Sequence, residues 1–207
     1  MINLDLLENS LKKRWEIAYD WKGMKQNDVW DRTTRFIYNT RSFTTLSTKI
    51  EHLDERLKNY AINRWYNFWS AKGVEQLFAD HTEVLPNKNK YDKFVDFHLK
   101  GIPFDHKSSV FPVGFKNTLG YAQKNEQELI DWFYKNQSQE GRKHFKNRLF
   151  VVFYDRINQD HWKLKARMTL IKEAIDTYVC NFSEKNLSTF HFGKGKTVAN
   201  IIWVINK

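Results

Sequence analysis

The chain has 207 residues, and its 34 Lys plus Arg against 24 Asp plus Glu give a net charge of +10. With 41% hydrophobic residues and only three prolines, disorder is excluded and one folded domain, or one domain with an N-terminal extension, is expected. Cys180 is the single cysteine, which excludes an intrachain disulfide and a Cys-rich zinc site. No apolar stretch approaches the ~20 residues of a membrane span, and the opening Met1-Ile2-Asn3-Leu4-Asp5 lacks an apolar leader pattern. A soluble, cytoplasmic protein is therefore expected. The basic surplus favours a polyanionic partner, nucleic acid ahead of membrane.

In chain order, residues 4–21 read as an amphipathic helix with Leu7, Leu11, Trp15 and Ala18 on one stripe. A second helical pattern covers 27–38. A third begins at Thr48 and Glu51, which have capping-box spacing, and carries Ile50, Leu53, Leu57, Ala61, Trp65, Phe68 and Trp69 on one face. Gly73 is expected to interrupt it before Val74, Leu77 and Phe78. From Thr82 the texture changes to strand. Thr82–Leu85 is a short β segment, and 93–100 and 103–109 alternate around Gly101-Ile102 as a hairpin. A helix follows over 123–136, then the apolar run Leu149–Tyr154 as a strand buried on both faces. A helix over 162–179 and a last strand over 198–205 complete the chain, with Gly193-Lys194-Gly195-Lys196 as a turn before that strand. This order predicts an α/β fold, a mixed sheet flanked by helices, with an N-terminal helical extension over residues 1–58 and the core over 59–207.

The hairpin carries the chemistry. Residues two apart on a strand share a face, so Asp96 pairs in orientation with His98, and Asp105 with Lys107. With Gly101-Ile102 as the turn, Lys100 lies across from Pro103, His98 from Asp105 and Asp96 from Lys107, and directly opposed Cβ atoms are ~5 Å apart. The two carboxylates are then diagonal neighbours ~7–8 Å apart; near each other they repel unless a cation lies between them, and Mg²⁺ takes hard oxygen ligands. Such a patch suits metal-assisted phosphodiester hydrolysis, with Lys107 orienting or deprotonating the attacking water. In a hairpin taken alone, the same residues read as a cross-strand Asp96–Lys107 ion pair on a solvated face.

Val95-Asp96, eight intervening residues and Asp105-His106-Lys107 resemble the signature of the PD-(D/E)XK, or restriction-endonuclease-like, nuclease superfamily, although Val stands where the family's Pro would be. The helix before the hairpin and the helix, strand and helix after it resemble that core, over roughly residues 60–155. The resemblance implies a Mg²⁺-dependent DNA endonuclease, with Mn²⁺ able to substitute. Asp96 and Asp105 would be metal ligands, the main-chain carbonyl of His106 a third and Lys107 the catalytic lysine. Glu75 is the best candidate for the acid that many members place on the first core helix, ahead of Glu51 and Glu55. Gln123 and Gln127 occupy the helix where some members place a polar residue toward the site.

Basic clusters offer a phosphate grip on DNA, expected to be duplex: Lys88, Lys90 and Lys93 before the hairpin, Arg142, Lys143, Lys146 and Arg148 before the buried strand, and Lys163, Lys165 and Arg167 after it. The imidazoles of His98 and His106 are expected to be hydrogen-bonded bystanders rather than ligands. A homodimer would make two cuts on a duplex. The alternative is a non-catalytic nucleic-acid-binding protein that keeps the fold.

Overall fold

A computed structural model describes residues 2–18, 27–89, 92, 94–136, 145–192 and 195–206. Two units are formed. One comprises Met1–Gln76 with Lys165–Met168, the other Leu77–Leu164 with Thr169–Lys207. The division falls inside a long helix, whereas the sequence reading drew its line at residue 58.

The first unit is helical. Helix α1, Leu4–Lys12, is capped by Asn3 and passes into a 3₁₀ turn, Lys13–Glu16, shorter than the expected 4–21. Helix α2, Asp28–Thr33, is capped by Asn27 and followed by a second 3₁₀ turn, Arg35–Asn39. The capping box expected at Thr48 and Glu51 does not form. Ser42 caps α3, Phe43–Ile50, and Thr48 lies in its last turn, with the hydroxyl donating back to the Thr44 carbonyl at 3.3 Å. The long helix α4, Glu55–Ala79, starts at Asp54 instead, whose Oδ1 accepts from the N–H groups of Arg56 and Leu57 at 3.0 and 3.1 Å. Asp satisfies two orphan donors here, a contribution of ~1 kcal/mol.

Gly73 does not interrupt α4. A Cβ there would stand 2.6 Å from Met168 Sδ and 3.1 Å from Leu7 Cδ2, so glycine serves close packing inside the unit. Leu7, Leu11, Ile37, Leu46, Ile50 and Trp65 are buried in this unit. Among their polar companions, Trp65 Nε1 donates to the Thr40 carbonyl at 2.6 Å, and the buried Arg14 donates to Asn63 Oδ1 at 3.0 Å.

The second unit holds a six-stranded mixed sheet. Its strands are β1 Val84–Pro86, β2 Phe97–Leu99, β3 Ile102–Val110, β4 Arg148–Asp155, β5 Ser188–Phe192 and β6 Gly195–Asn206. The order is β1-β2-β3-β4-β6-β5. The pairs β3–β4 and β4–β6 are parallel, and the remaining pairs are antiparallel. Between β3 and β4 lie α5, Leu119–Lys124, and α6, Glu126–Asn136, where one helix over 123–136 was expected. A 3₁₀ turn, His161–Ala166, and α7, Met168–Cys180, join β4 to β5. Strand β5 was not expected: it is short, and of its five residues only Phe190 is buried.

Leu149–Phe153 have no solvent exposure, as a central parallel strand covered on both faces requires. Phe150 stacks on Phe133 of α6 with ring centroids 4.9 Å apart and joins Ile130, Val152 and Ile201 in one core. On the opposite face Phe104 meets Phe182 just past α7. Among the described residues no helix is long and apolar enough to cross a membrane.

Candidate functional site

The hairpin between β2 and β3 turns on Lys100 and Gly101, with φ of 47° and 83°, a two-residue loop with both residues left-handed. The observed pairs are Phe97 with Phe104, His98 with Pro103 and Leu99 with Ile102. The expected turn at Gly101-Ile102 is thus corrected by one residue, because only Gly101 tolerates the second left-handed position without steric cost. His98 faces Pro103 rather than Asp105, and Asp96, outside the paired residues, is bonded through its N–H to the Phe104 carbonyl rather than lying across from Lys107.

Strand β2 begins only at Phe97, and Asp96 caps the exposed edge of β3. Its N–H donates to the Phe104 carbonyl at 2.8 Å, and its carbonyl accepts from Asn87 N–H at 2.9 Å. The Asp96 Oδ2 accepts from the His106 N–H at 2.9 Å and contacts His106 Nδ1 at 2.7 Å. The His106 ring is nearly buried near Phe78. In an extended strand the N–H and C=O of one residue point to the same side, so the His106 carbonyl faces this edge too, beyond the end of β2.

Asp105 and Lys107 share the other face of β3, the face covered by α6. Register places Asp105 beside Arg148 and Lys107 beside Phe150 on β4. Arg148 Nε donates to Asp105 Oδ2 at 2.8 Å. Asn147 fixes the height of this pair. Its carbonyl accepts from Asp105 N–H at 3.0 Å, its Nδ2 donates to the Pro103 carbonyl at 3.1 Å and its Oδ1 accepts from Val198 N–H at 2.9 Å, so one side chain ties β3 to β6.

Lys107 is exposed to solvent and, among the described residues, has no carboxylate at ion-pair distance; the cross-strand Asp96–Lys107 ion pair is not formed. Burial nonetheless pulls its ammonium below the ordinary lysine range, with Arg148 adding to the effect and Asp105 opposing it. Lys146 is likewise held low by burial, with Asp105 opposing, Arg148 adding, and Asp96 and Asp92 opposing. Lys146 also lies over the Phe94 ring at 4.2 Å.

Among the described residues no three His, Cys, Asp or Glu side chains gather as a metal-binding group. Glu75 sits on α4 in the helical unit, ion-paired with Lys72, and takes no part in the ligand set proposed below. What the sheet unit offers is two carboxylates and one main-chain carbonyl. Asp105 Oδ1 has no hydrogen-bond partner among the described residues. Hard oxygens in this number fit Mg²⁺, which keeps several waters and takes one or two carboxylates.

The phosphate-grip residues are scattered. Lys88, Gln123 and Gln127 are exposed, whereas Lys90, Lys93, Arg142 and Lys143 lie outside the described residues. Arg148 is corrected: it is 6% exposed and its guanidinium is committed to Asp105, so it offers no surface to a phosphate backbone. Lys163 pairs with Asp160 at 2.6 Å, and Lys165 donates to Asn67 in the helical unit. Reading the sequence missed the Asp96–His106 cap and the roles of Asn147 and Arg148. Their only signal is position, directly before a buried apolar run.

Protein-family models, curated proteins and solved structures were compared with the chain, and none matches.

Proposed function

We propose that this chain is a Mg²⁺-dependent DNA endonuclease of the restriction-endonuclease-like, PD-(D/E)XK type. One observation carries the reading: Asp105 and Lys107 share a face of β3, and Asp96, one residue before β2, is bonded to His106 between them. The order of a helix, three strands, two helices, a strand and a helix, together with the mixed sheet, supports it, as does the charge of +10. Asp96, Asp105 and the His106 carbonyl would hold the ion. When bound, Mg²⁺ would acidify a water and offset charge on the phosphoryl oxygens. Lys107 would orient the attacking water and hold a non-bridging phosphate oxygen as the phosphorus–oxygen bond breaks. Exposed lysines such as Lys88 would contact the backbone of duplex DNA without reading sequence, and a homodimer would place two such sites on one duplex.

A second reading is favoured by the protein donors already engaging both acids, His106 on Asp96 and Arg148 on Asp105: a DNA-binding protein that keeps the fold without the reaction. Plasmid DNA incubated with purified protein separates the two. Nicking or cutting that needs Mg²⁺ or Mn²⁺ and is lost in Asp96→Asn and Lys107→Ala supports the nuclease. Salt-sensitive binding without cleavage in either metal supports the second reading.

A further inference from the structure

We infer that Arg148 is a positioning residue of this site, holding one oxygen of Asp105 from the neighbouring strand and leaving the other as the single donor that Asp105 offers a divalent cation. The inference rests on the nuclease reading above.

Asp105 and Arg148 are register partners on parallel strands, and Nε reaches Oδ2 at 2.8 Å. The guanidinium is buried, lies over the Tyr134 ring at 5.9 Å, and keeps Nη1 without a hydrogen-bond partner among the described residues. A buried charge with an unmet donor is expensive. The next five residues of β4, Leu149–Phe153, are all apolar, so an apolar side chain would fit this strand at lower cost. With Nη1 enclosed and the residue 6% exposed, the guanidinium offers little to a phosphate. What remains is action through Asp105. A carboxylate free to rotate can offer a cation either oxygen or both, whereas one held at Oδ2 offers Oδ1 in a fixed direction.

Two consequences oppose each other. The arginine charge repels a cation at Asp105, so its loss strengthens cation binding. Its loss also frees the carboxylate to rotate, so the bound cation is misplaced for reaction. A merely structural arginine would weaken both properties together.

The test compares wild type, Arg148→Met and Asp105→Asn, with Mn²⁺ affinity read by calorimetry on metal-free protein, cleavage rate at saturating Mg²⁺, and thermal melts to establish folding. Folded Arg148→Met is expected to bind Mn²⁺ about tenfold tighter and to cleave about 100-fold more slowly. Arg148→Lys, which restores the charge, is expected to return the affinity toward wild type. Should Arg148→Met fail to fold, Arg148→Gln, uncharged but still a donor, carries the same expectation. The inference is overturned if the folded neutral variant cleaves like wild type, or if its Mn²⁺ affinity does not rise. Wild type that neither binds Mn²⁺ through Asp105 nor cleaves overturns the nuclease reading and this inference with it.

Discussion

The carboxylate of Asp96 holds His106 twice, at the backbone N–H and at the ring Nδ1, 2.9 and 2.7 Å away. A side chain thus replaces the strand partner that β3 lacks where β2 has not yet begun. Removing it leaves a part-buried N–H without an acceptor, which costs about 1–3 kcal/mol. Asp96→Ala should lower unfolding stability by that amount in urea titration, and Asp96→Asn, which keeps an amide oxygen, by less than half as much. Both should abolish cleavage.

The hairpin turn is open to improvement. Lys100 holds a positive φ that costs a non-glycine residue about 1 kcal/mol, and its ion pair with Glu83 at 3.6 Å is exposed and contributes little. Lys100→Asn should raise stability by about 0.5–1 kcal/mol. Gly101→Ala should lower it by about 1–2 kcal/mol. Urea midpoints of the two variants would move in opposite directions.

At the end of β4, Asp155 N–H donates to His161 Nδ1 at 2.9 Å, and the ring stacks on Tyr154. That bond requires a neutral Nδ1. Burial holds the imidazole below its ordinary value of 6.5, against the opposing pull of Asp155 and Asp160. Below 6.5 the unfolded chain binds a proton that the folded one resists, so stability falls as pH drops through the depressed folded value. Above 6.5 both states are neutral and the contribution is complete. Melting temperatures should therefore decline more steeply below pH 6.5 in wild type than in His161→Gln.

Lys107 is exposed and has no carboxylate at ion-pair distance among the described residues. Lys107→Ala should change stability by no more than about 0.5 kcal/mol while removing cleavage. Loss of stability on a larger scale would mark the lysine as structural.

Periodicity made the elements of the sheet unit legible. The run Leu149–Tyr154 could only be a doubly buried strand, and the alternation around Gly101 could only be a hairpin. Register was not legible, because two adjacent two-residue turns fit the same alternation and the choice lies in which residues accept positive φ. In the helical unit Thr48 and Asp54 are both competent caps, and local spacing did not reveal that the chain turns at 51–54. Of the site, Asp105 and Lys107 were found as a pair because strand periodicity fixes their common face. Arg148 was misread as a surface charge, since its burial comes from strands β3 and β4 meeting, which no local pattern records.

The proposed nuclease requires Asp96 and Asp105 to share one divalent cation. Anomalous diffraction from crystals soaked in Mn²⁺ tests it most directly. A single peak bonded to both carboxylates and lost in Asp105→Asn is expected. Full Mn²⁺ occupancy elsewhere, or Asp96 and Asp105 keeping only His106 and Arg148 at saturating metal, would contradict it.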